Sequence, residues 1–267
     1  MISSDVIRTA LQDRSILTRV EHYASIGSTN DRACALARQG TPEIALISAD
    51  EQTSGRGRQG RSWHTPPGAA LAFSLLTRPA LAAHRAMRLT MLAGLAAVEG
   101  IEQATGLRLD LKWPNDVVFH DERRWWKVGG ILTECTFQGD TIEYAVVGLG
   151  LNVNVDFSQQ VELREIAASL MDLTASPIDR LAVLCAVVGS FIDHYAGLET
   201  DEQLRNAWAA RLINLRCHIR VNLNGQIVEG YAEGVDDDGA LLLRTADDQL
   251  QRLLSGDVTL HDHEPRY

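Results

Sequence analysis

Ser54-Gly55-Arg56-Gly57-Arg58-Gln59-Gly60-Arg61 and, shortly after it, Pro66-Pro67-Gly68 form the stretch on which the fold turns. Gly55, Gly57 and Gly60 satisfy G-x-G-x-x-G, the spacing of a dinucleotide-binding turn in a doubly wound parallel sheet. The context refuses that fold. The fingerprint needs a helix opening directly from the glycines, and the proline pair forbids one. It also needs an acidic residue roughly 20 positions further on, yet no Asp or Glu lies between Gln52 and Val98. What remains is a loop whose glycines permit sharp turns and close backbone approach. Its arginines offer forked donors matched to phosphate and carboxylate oxygens. An Arg-rich solvent loop is the alternative.

Charge narrows the ligand. The stretch from Gln52 to Val98 carries six arginines (56, 58, 61, 78, 85 and 88) and no acid, in a chain of net charge −10, so the remainder stands at −16. A positive island in an acidic chain suggests a local anionic ligand rather than a long nucleic acid. The chain has 23 arginines but only two lysines, Lys112 and Lys127. A lysine is a compact point charge with a tunable pKa, so these two positions are candidates for roles a guanidinium cannot fill.

The length of 267 residues suits one large domain or a medium domain plus a small one. No apolar stretch has membrane-spanning length; Met87 to Val98 is cut by Arg88 and Gly94. The first residues lack the apolar core of a signal peptide. Four scattered cysteines (34, 135, 185 and 217) form no C-x-x-C pair and read as free thiols of a reducing compartment, with the cytoplasm as default. Of the histidines, His261-x-His263 could touch a metal but reads rather as a polar tail.

Hydrophobic periodicity predicts a short helix over 1–13 capped by Ser3 or Ser4 and a strand over Thr18 to Ala24. A helix with its N-cap in Ser28-Thr29-Asn30-Asp31 and closed at Gly40 follows, then a strand over Ile44 to Ala49. Leu71 to Leu76 reads as a strand and 83–104 as a long helix. Strands are also expected at Leu107 to Leu111, Val117 to His120, Gly130 to Phe137 and Ile142 to Val147. Ser176-Pro177-Ile178-Asp179 opens a helix to Tyr195, with Pro at the first helical position. Another helix carries Trp208. From about Leu215 short strands alternate with the turns Asn224-Gly225 and Asp238-Gly239, which indicates a small β-barrel. Periodicity thus predicts an α/β unit and a small β domain, with the boundary near 210–215.

Three further segments place polar groups beside glycines or prolines at strand ends. Lys112-Trp113-Pro114-Asn115-Asp116 sets a cation beside a carboxylate, suited to a phosphate with Mg²⁺ or to an ordinary turn with a salt bridge. Lys127-Val128-Gly129-Gly130-Ile131-Leu132-Thr133-Glu134 opens a strand with glycines that mark close backbone approach. In Gly148-Leu149-Gly150-Leu151-Asn152-Val153-Asn154 the two asparagines could read a base or a phosphate, or the glycines could mark a bulge.

Taken together with Ser28-Thr29-Asn30 and Gln52-x-x-Gly55-Arg56-Gly57-Arg58-x-Gly60-Arg61-x-Trp63, these segments resemble the signature set of the biotin protein ligases, in family order, over about residues 20–155. Ser255-Gly256-Asp257-Val258 resembles the family's terminal barrel. The resemblance implies an α+β fold. Residues 1–212 would form a central mixed β-sheet flanked by helices, like class II synthetases, and residues 213–267 an SH3-like β-barrel. It implies that biotin and ATP, with Mg²⁺, give biotinyl-5′-adenylate, whose acyl group passes to a lysine of a biotin carboxyl carrier protein, a subunit of acetyl-CoA carboxylase.

Site roles follow from the same resemblance. Ser28, Thr29, Asn30 and Gln52 would surround the ureido head of biotin, with Arg56, Gly57, Arg58, Lys127, Gly129 and Gly130 completing its site. Gly55, Arg56, Arg58, Arg61, Trp63, Lys112, Asn115 and Asn152 would meet the nucleotide. Lys127, Arg58 and Lys112 would be catalytic and Asp116 would lie near the metal. A ligase without repressor activity, DNA or membrane is expected, because the motifs start by residue 28; a homodimer is compatible. Two rivals are a lipoate or octanoate transferase of related fold and a sensing module without turnover. Ala70 and Ala72 depart from the Asn and Tyr of many relatives. Asp121 to Trp126 is bulkier than the usual polar turn.

Overall fold

The computed structural model describes residues 2–121, 124–158, 160–198 and 203–260. Its first sheet contains β1 (Arg19–Tyr23), β2 (Ala45–Ala49), β3 (Leu71–Thr77), β4 (Asp110–Lys112), β5 (Asp116–His120), β6 (Trp125–Gln138) and β7 (Thr141–Leu151). They lie in the order β1-β2-β3-β7-β6-β5-β4. β1 and β2 are parallel and are joined through helix α2 (Thr29–Arg38); the other neighbouring pairs are antiparallel. This is the mixed sheet expected, and it is not a doubly wound parallel one.

β2 and β3 are buried at every position, as strands packed on both faces must be. Alternate side chains leave toward opposite faces. Ile47 and Leu76 meet Ala33, Leu36 and Ala37 of α2 on one face. Leu46, Phe73 and Leu75 join the larger core on the other face, under α3 (Met87–Thr105) and α6 (Arg180–Tyr195). Ser28 caps α2 by accepting from the Asp31 N–H, and α1 (Ser4–Ala10) is capped by Ser3.

The second sheet is antiparallel, in the order β11-β10-β9-β8-β12. Its strands are β8 (His218–Leu223), β9 (Gln226–Val235), β10 (Leu241–Arg244), β11 (Leu250–Leu253) and β12 (Asp257–Leu260). Asn224 (φ 54) and Gly225 (φ 99) both take positive φ, as a tight hairpin turn requires. This five-stranded unit fits the small barrel expected. Trp113 anchors it to the first sheet. Its ring is 1 % exposed, its Nε1 donates to the Gly239 carbonyl at 3.0 Å and its backbone N–H donates to Asn214 Oδ1 at 2.8 Å.

Several expectations shift. Of the Leu107 to Leu111 alternation only Asp110–Lys112 pairs as a strand. Pro177 lies before α6, because Asp179 is the N-cap and accepts from the Leu181 and Ala182 N–H groups. Two short helices, α4 (Val161–Arg164) and α5 (Leu170–Thr174), were not anticipated, although Ser169 and Asp172 form a capping box for α5. Next comes α7 (Gln203–Ala209), which carries Trp208 as expected. β6 starts at Trp125, so the tryptophan pair belongs to a strand. His261 and His263 lie outside the described residues.

Candidate active site

Antiparallel pairing of β4, β5 and β6 brings the two lysines together. Lys112 faces Asp116 across β4 and β5, and Asp116 faces Gly130 across β5 and β6. Lys127 Nζ lies 2.6 Å from Asp116 Oδ1, and Lys112 Nζ lies 4.0 Å from Asp116 Oδ2. One carboxylate therefore sits between two ammonium groups. Burial pushes the Lys112 ammonium below its ordinary pKa, and Asp116 opposes that shift.

The Gly/Arg loop folds over this end of the sheet. The Gly57 N–H donates to the Arg61 carbonyl at 2.7 Å and the Trp63 N–H to the Gly55 carbonyl at 2.9 Å. The left-handed residues that turn the loop are Gln59 (φ 55) and Gly60 (φ 75), whereas Gly57 is extended. Each arginine is held by a different part of the protein. Arg56 reaches Asp31 at 2.7 Å and Glu134 at 3.2 Å, and its pKa is raised chiefly by the Asp31 hydrogen bond. Arg58 donates to Asn115 Oδ1 at 3.1 Å, and burial lowers its pKa. Arg61 pairs with Asp257 of β12. Asn115 is fixed in turn by donating to the Ile131 carbonyl at 2.7 Å.

The start of α2 forms a second polar group on the other side of the loop. Gln52 Oε1 accepts from the Thr29 N–H at 2.9 Å. Asn30 Nδ2 donates to Glu134 Oε2 at 2.6 Å. The buried Ser74 hydroxyl lies 2.7 Å from Thr29 Oγ1 and 2.6 Å from Asn30 Oδ1. Ser74 was missed in the sequence, where its signal is a hydroxyl set between the apolar residues Phe73 and Leu75 of a buried strand. Asn30 packs so closely on Gly148 that a Cβ there would collide with it. Gly150 likewise makes room for the Trp63 indole, which lies 5.8 Å from Lys127 Nζ. The glycines of β7 are therefore close-approach positions inside a regular strand, not a bulge.

Asn152 and Asn154 hold backbone. Asn152 Nδ2 donates to the Lys127 and Ala168 carbonyls, both at 3.3 Å, steadying the segment that carries Lys127. Asn154 is not placed to read a base or phosphate here. It clamps Ile178 at both backbone groups, at 2.9 and 2.8 Å. The donors do not build a resident metal site. Asp116 is committed to two ammonium groups, and among the described residues no cluster of three or more His, Cys, Asp or Glu could hold an ion. A cavity of about 310 Å³ opens beside the loop, lined by Arg58, Asn115, Thr90, Thr133 and Leu254 among others.

A mixed sheet that gathers two lysines, a carboxylate and an arginine loop at one end defines a site for activating an anionic substrate. The profile of the biotin/lipoate A/B protein ligase family matches residues 24–152, and that of the biotin protein ligase C-terminal domain matches residues 218–260. The bifunctional ligase/repressor BirA of Bacillus subtilis is 34 % identical over 265 residues, covering 97 % of this chain and 79 % of that protein. The biotin–[acetyl-CoA-carboxylase] ligase of Paracoccus denitrificans is 35 % identical over 227 residues, covering 83 % and 92 %. The solved biotin protein ligase from Aquifex aeolicus in complex with biotin and ATP aligns with a TM-score of 0.74 at 27 % identity, over 92 % of this chain and 99 % of that one. The chain belongs to the biotin protein ligase family.

Proposed function

We propose that the chain is an ATP-dependent biotin–protein ligase acting on a biotin carboxyl carrier protein. The observation that carries this is the Lys112–Asp116–Lys127 cluster beneath the Arg58–Asn115 contact. The biotin carboxylate attacks the α-phosphorus of ATP, a new acyl–oxygen–phosphorus linkage forms, and pyrophosphate leaves. The carrier lysine amine then attacks the acyl carbon, and AMP leaves. Both reactants of the first step are anions, so fixed positive charge at the point of attack lowers the barrier. Lys127 lies at the biotin carboxylate and the adjoining phosphorus, where it neutralises charge on their oxygens, and Lys112 takes phosphate oxygens. Positioning and electrostatics suffice, without a covalent enzyme intermediate.

The polar group of Ser28, Thr29, Asn30 and Gln52 receives the ureido head of biotin. Its hydrogen bonds to Ser74 and Glu134 fix those side chains in advance, which supports the assignment. Gly130 leaves space beside Lys127, and Gly129 lets Leu151 and Gly150 of β7 approach closely. Gly55, Arg56, Gly57, Arg58 and Arg61 form the lid over the adenylate, Trp63 lies by the adenine, and Asn115 and Asn152 line the nucleotide side. Asp116 would lie nearest a Mg²⁺ brought by the ATP phosphates, which would supply further charge neutralisation. Residues 1–212 act as the ligase domain and 213–267 as the barrel, in a cytoplasmic protein that can dimerise and needs no DNA.

Incubation with biotin, MgATP and a carrier domain, read by mass, tests the reaction. One biotinyl group on one carrier lysine is expected. Transfer of lipoate in its place would favour the related transferase activity.

A further inference from the structure

Trp125 and Trp126 open β6, and neither has a part in the assignments above. Phe119, on β5, is Trp126's partner at a ring distance of 5.9 Å, and Arg124 lies 4.2 Å over the Trp126 ring. Trp125 points the other way, as strand alternation requires. Lys112 Nζ sits 4.5 Å from the centroid of the Trp125 ring. Elsewhere Trp125 packs against the main apolar core, which fixes the ring.

Lys112 needs such a partner. The residue is 8 % exposed, and its ion pair with Asp116 is 4.0 Å long, beyond hydrogen-bond reach. Lys127 holds the same carboxylate at 2.6 Å, so Asp116 is shared and Lys127 has the closer contact. An indole face attracts a cation through its quadrupole, more strongly where water is excluded. Unlike a second carboxylate, it neither cancels the charge nor engages the N–H donors as an oxygen acceptor would.

We propose that Trp125 is a positioning residue for the nucleotide step: its indole face holds the Lys112 ammonium in place while leaving its donors for phosphate oxygens. This rests on the assignment of Lys112 to the ATP phosphates.

Biotin-dependent ATP–pyrophosphate exchange by the full chain tests it, with KM for ATP and for biotin measured separately. Trp125→Leu keeps apolar bulk and removes the π face. It should lower kcat/KM for ATP about tenfold, equivalent to about 1.4 kcal/mol. The biotin KM should stay within about twofold. Trp125→Phe should recover most of the loss, and Trp125→Leu should add little in a Lys112→Ala background. Equal impairment by Leu and Phe, a parallel shift of both KM values, or an undiminished loss without Lys112 would overturn the role. Should the Leu variant not fold, the Trp, Tyr, Phe series gives the same test, because kcat/KM for ATP should fall in that order and a flat series overturns the proposal. Wild-type protein without exchange would remove the nucleotide assignment and the Trp125 role together. Wild-type exchange that Trp125→Leu leaves unchanged would remove only the latter.

Discussion

Lys127 Nζ lies 2.6 Å from Asp116 Oδ1, while the other oxygen of that carboxylate faces Lys112 Nζ at 4.0 Å. Without the carboxylate, two ammonium groups would repel one another across the end of β5. Asp116→Asn should therefore misplace both lysines and lower the rate of biotin-dependent pyrophosphate exchange by about 10²-fold, or about 2.7 kcal/mol. Retention of the wild-type rate would show that the lysines are placed by packing alone.

The compactness of this cluster also predicts the outcome of Lys127→Arg. A planar fork keeps the charge but cannot occupy the volume between Asp116, Gly130 and the Trp63 indole that a single nitrogen fills. Exchange should fall by about 10- to 100-fold. An unchanged rate would mean that charge, and not shape, is what the position supplies.

Arg58→Gly addresses the lid. Arg58 ties the loop to Asn115 at 3.1 Å, and its loss frees the loop from that end of the sheet. The variant should release biotinyl-adenylate and label lysines on bystander proteins, scored by blotting for biotin in a mixture. Labelling confined to the carrier would count against a sequestering lid.

Trp113 couples the two sheets, so its effect should be on stability. Trp113→Ala removes a 1 % exposed ring and its hydrogen bond to Gly239. A loss of about 3 to 5 kcal/mol is expected in denaturant unfolding. Trp113→Phe, which loses the hydrogen bond and part of the volume, should cost about 1 to 3 kcal/mol. Equal midpoints for both variants and wild type would show that the sheets are joined by other contacts.

Glu21 gives a pH dependence with a defined sign. Arg32 binds its carboxylate through two hydrogen bonds of 2.7 and 2.9 Å. The Arg32 hydrogen bond is the main reason its pKa falls from 4.5 to about 2. A depressed carboxylate pKa contributes stability that is fully present above the unfolded value and lost as pH falls through the folded one. Wild-type protein should exceed Glu21→Gln by about 1 kcal/mol near neutral pH, since solvent screens much of the pair's attraction. The gap should close as pH falls from about 4.5 to about 2. Unfolding curves across that range check it; a gap independent of pH would assign the difference to packing.

Local signals in the chain determined much of this protein. A cap in Ser28-Thr29-Asn30-Asp31, Asn224-Gly225 as a hairpin turn and Leu71 to Leu76 as a strand are decided within a few residues, by hydrogen bonding, backbone sterics and side-chain period. The prolines after the Gly/Arg run excluded the dinucleotide fold for the same local reason. Even the unusual count of two lysines marked the residues that meet at the candidate site. Pairings between distant segments were decided only by the tertiary structure. The sequence sets Lys112 beside Asp116, but nothing in it says that Lys127 takes the other side of that carboxylate, because the antiparallel register of β5 on β6 sets that distance. The sequence could not show which backbone Asn152 and Asn154 hold, since a side-chain amide takes whichever carbonyl the fold brings to it: Lys127 for Asn152 and Ile178 for Asn154. Trp125 read as part of a bulky turn before Lys127. Only strand alternation on β6 turns its ring onto Lys112, while sending its neighbour Trp126 toward Phe119.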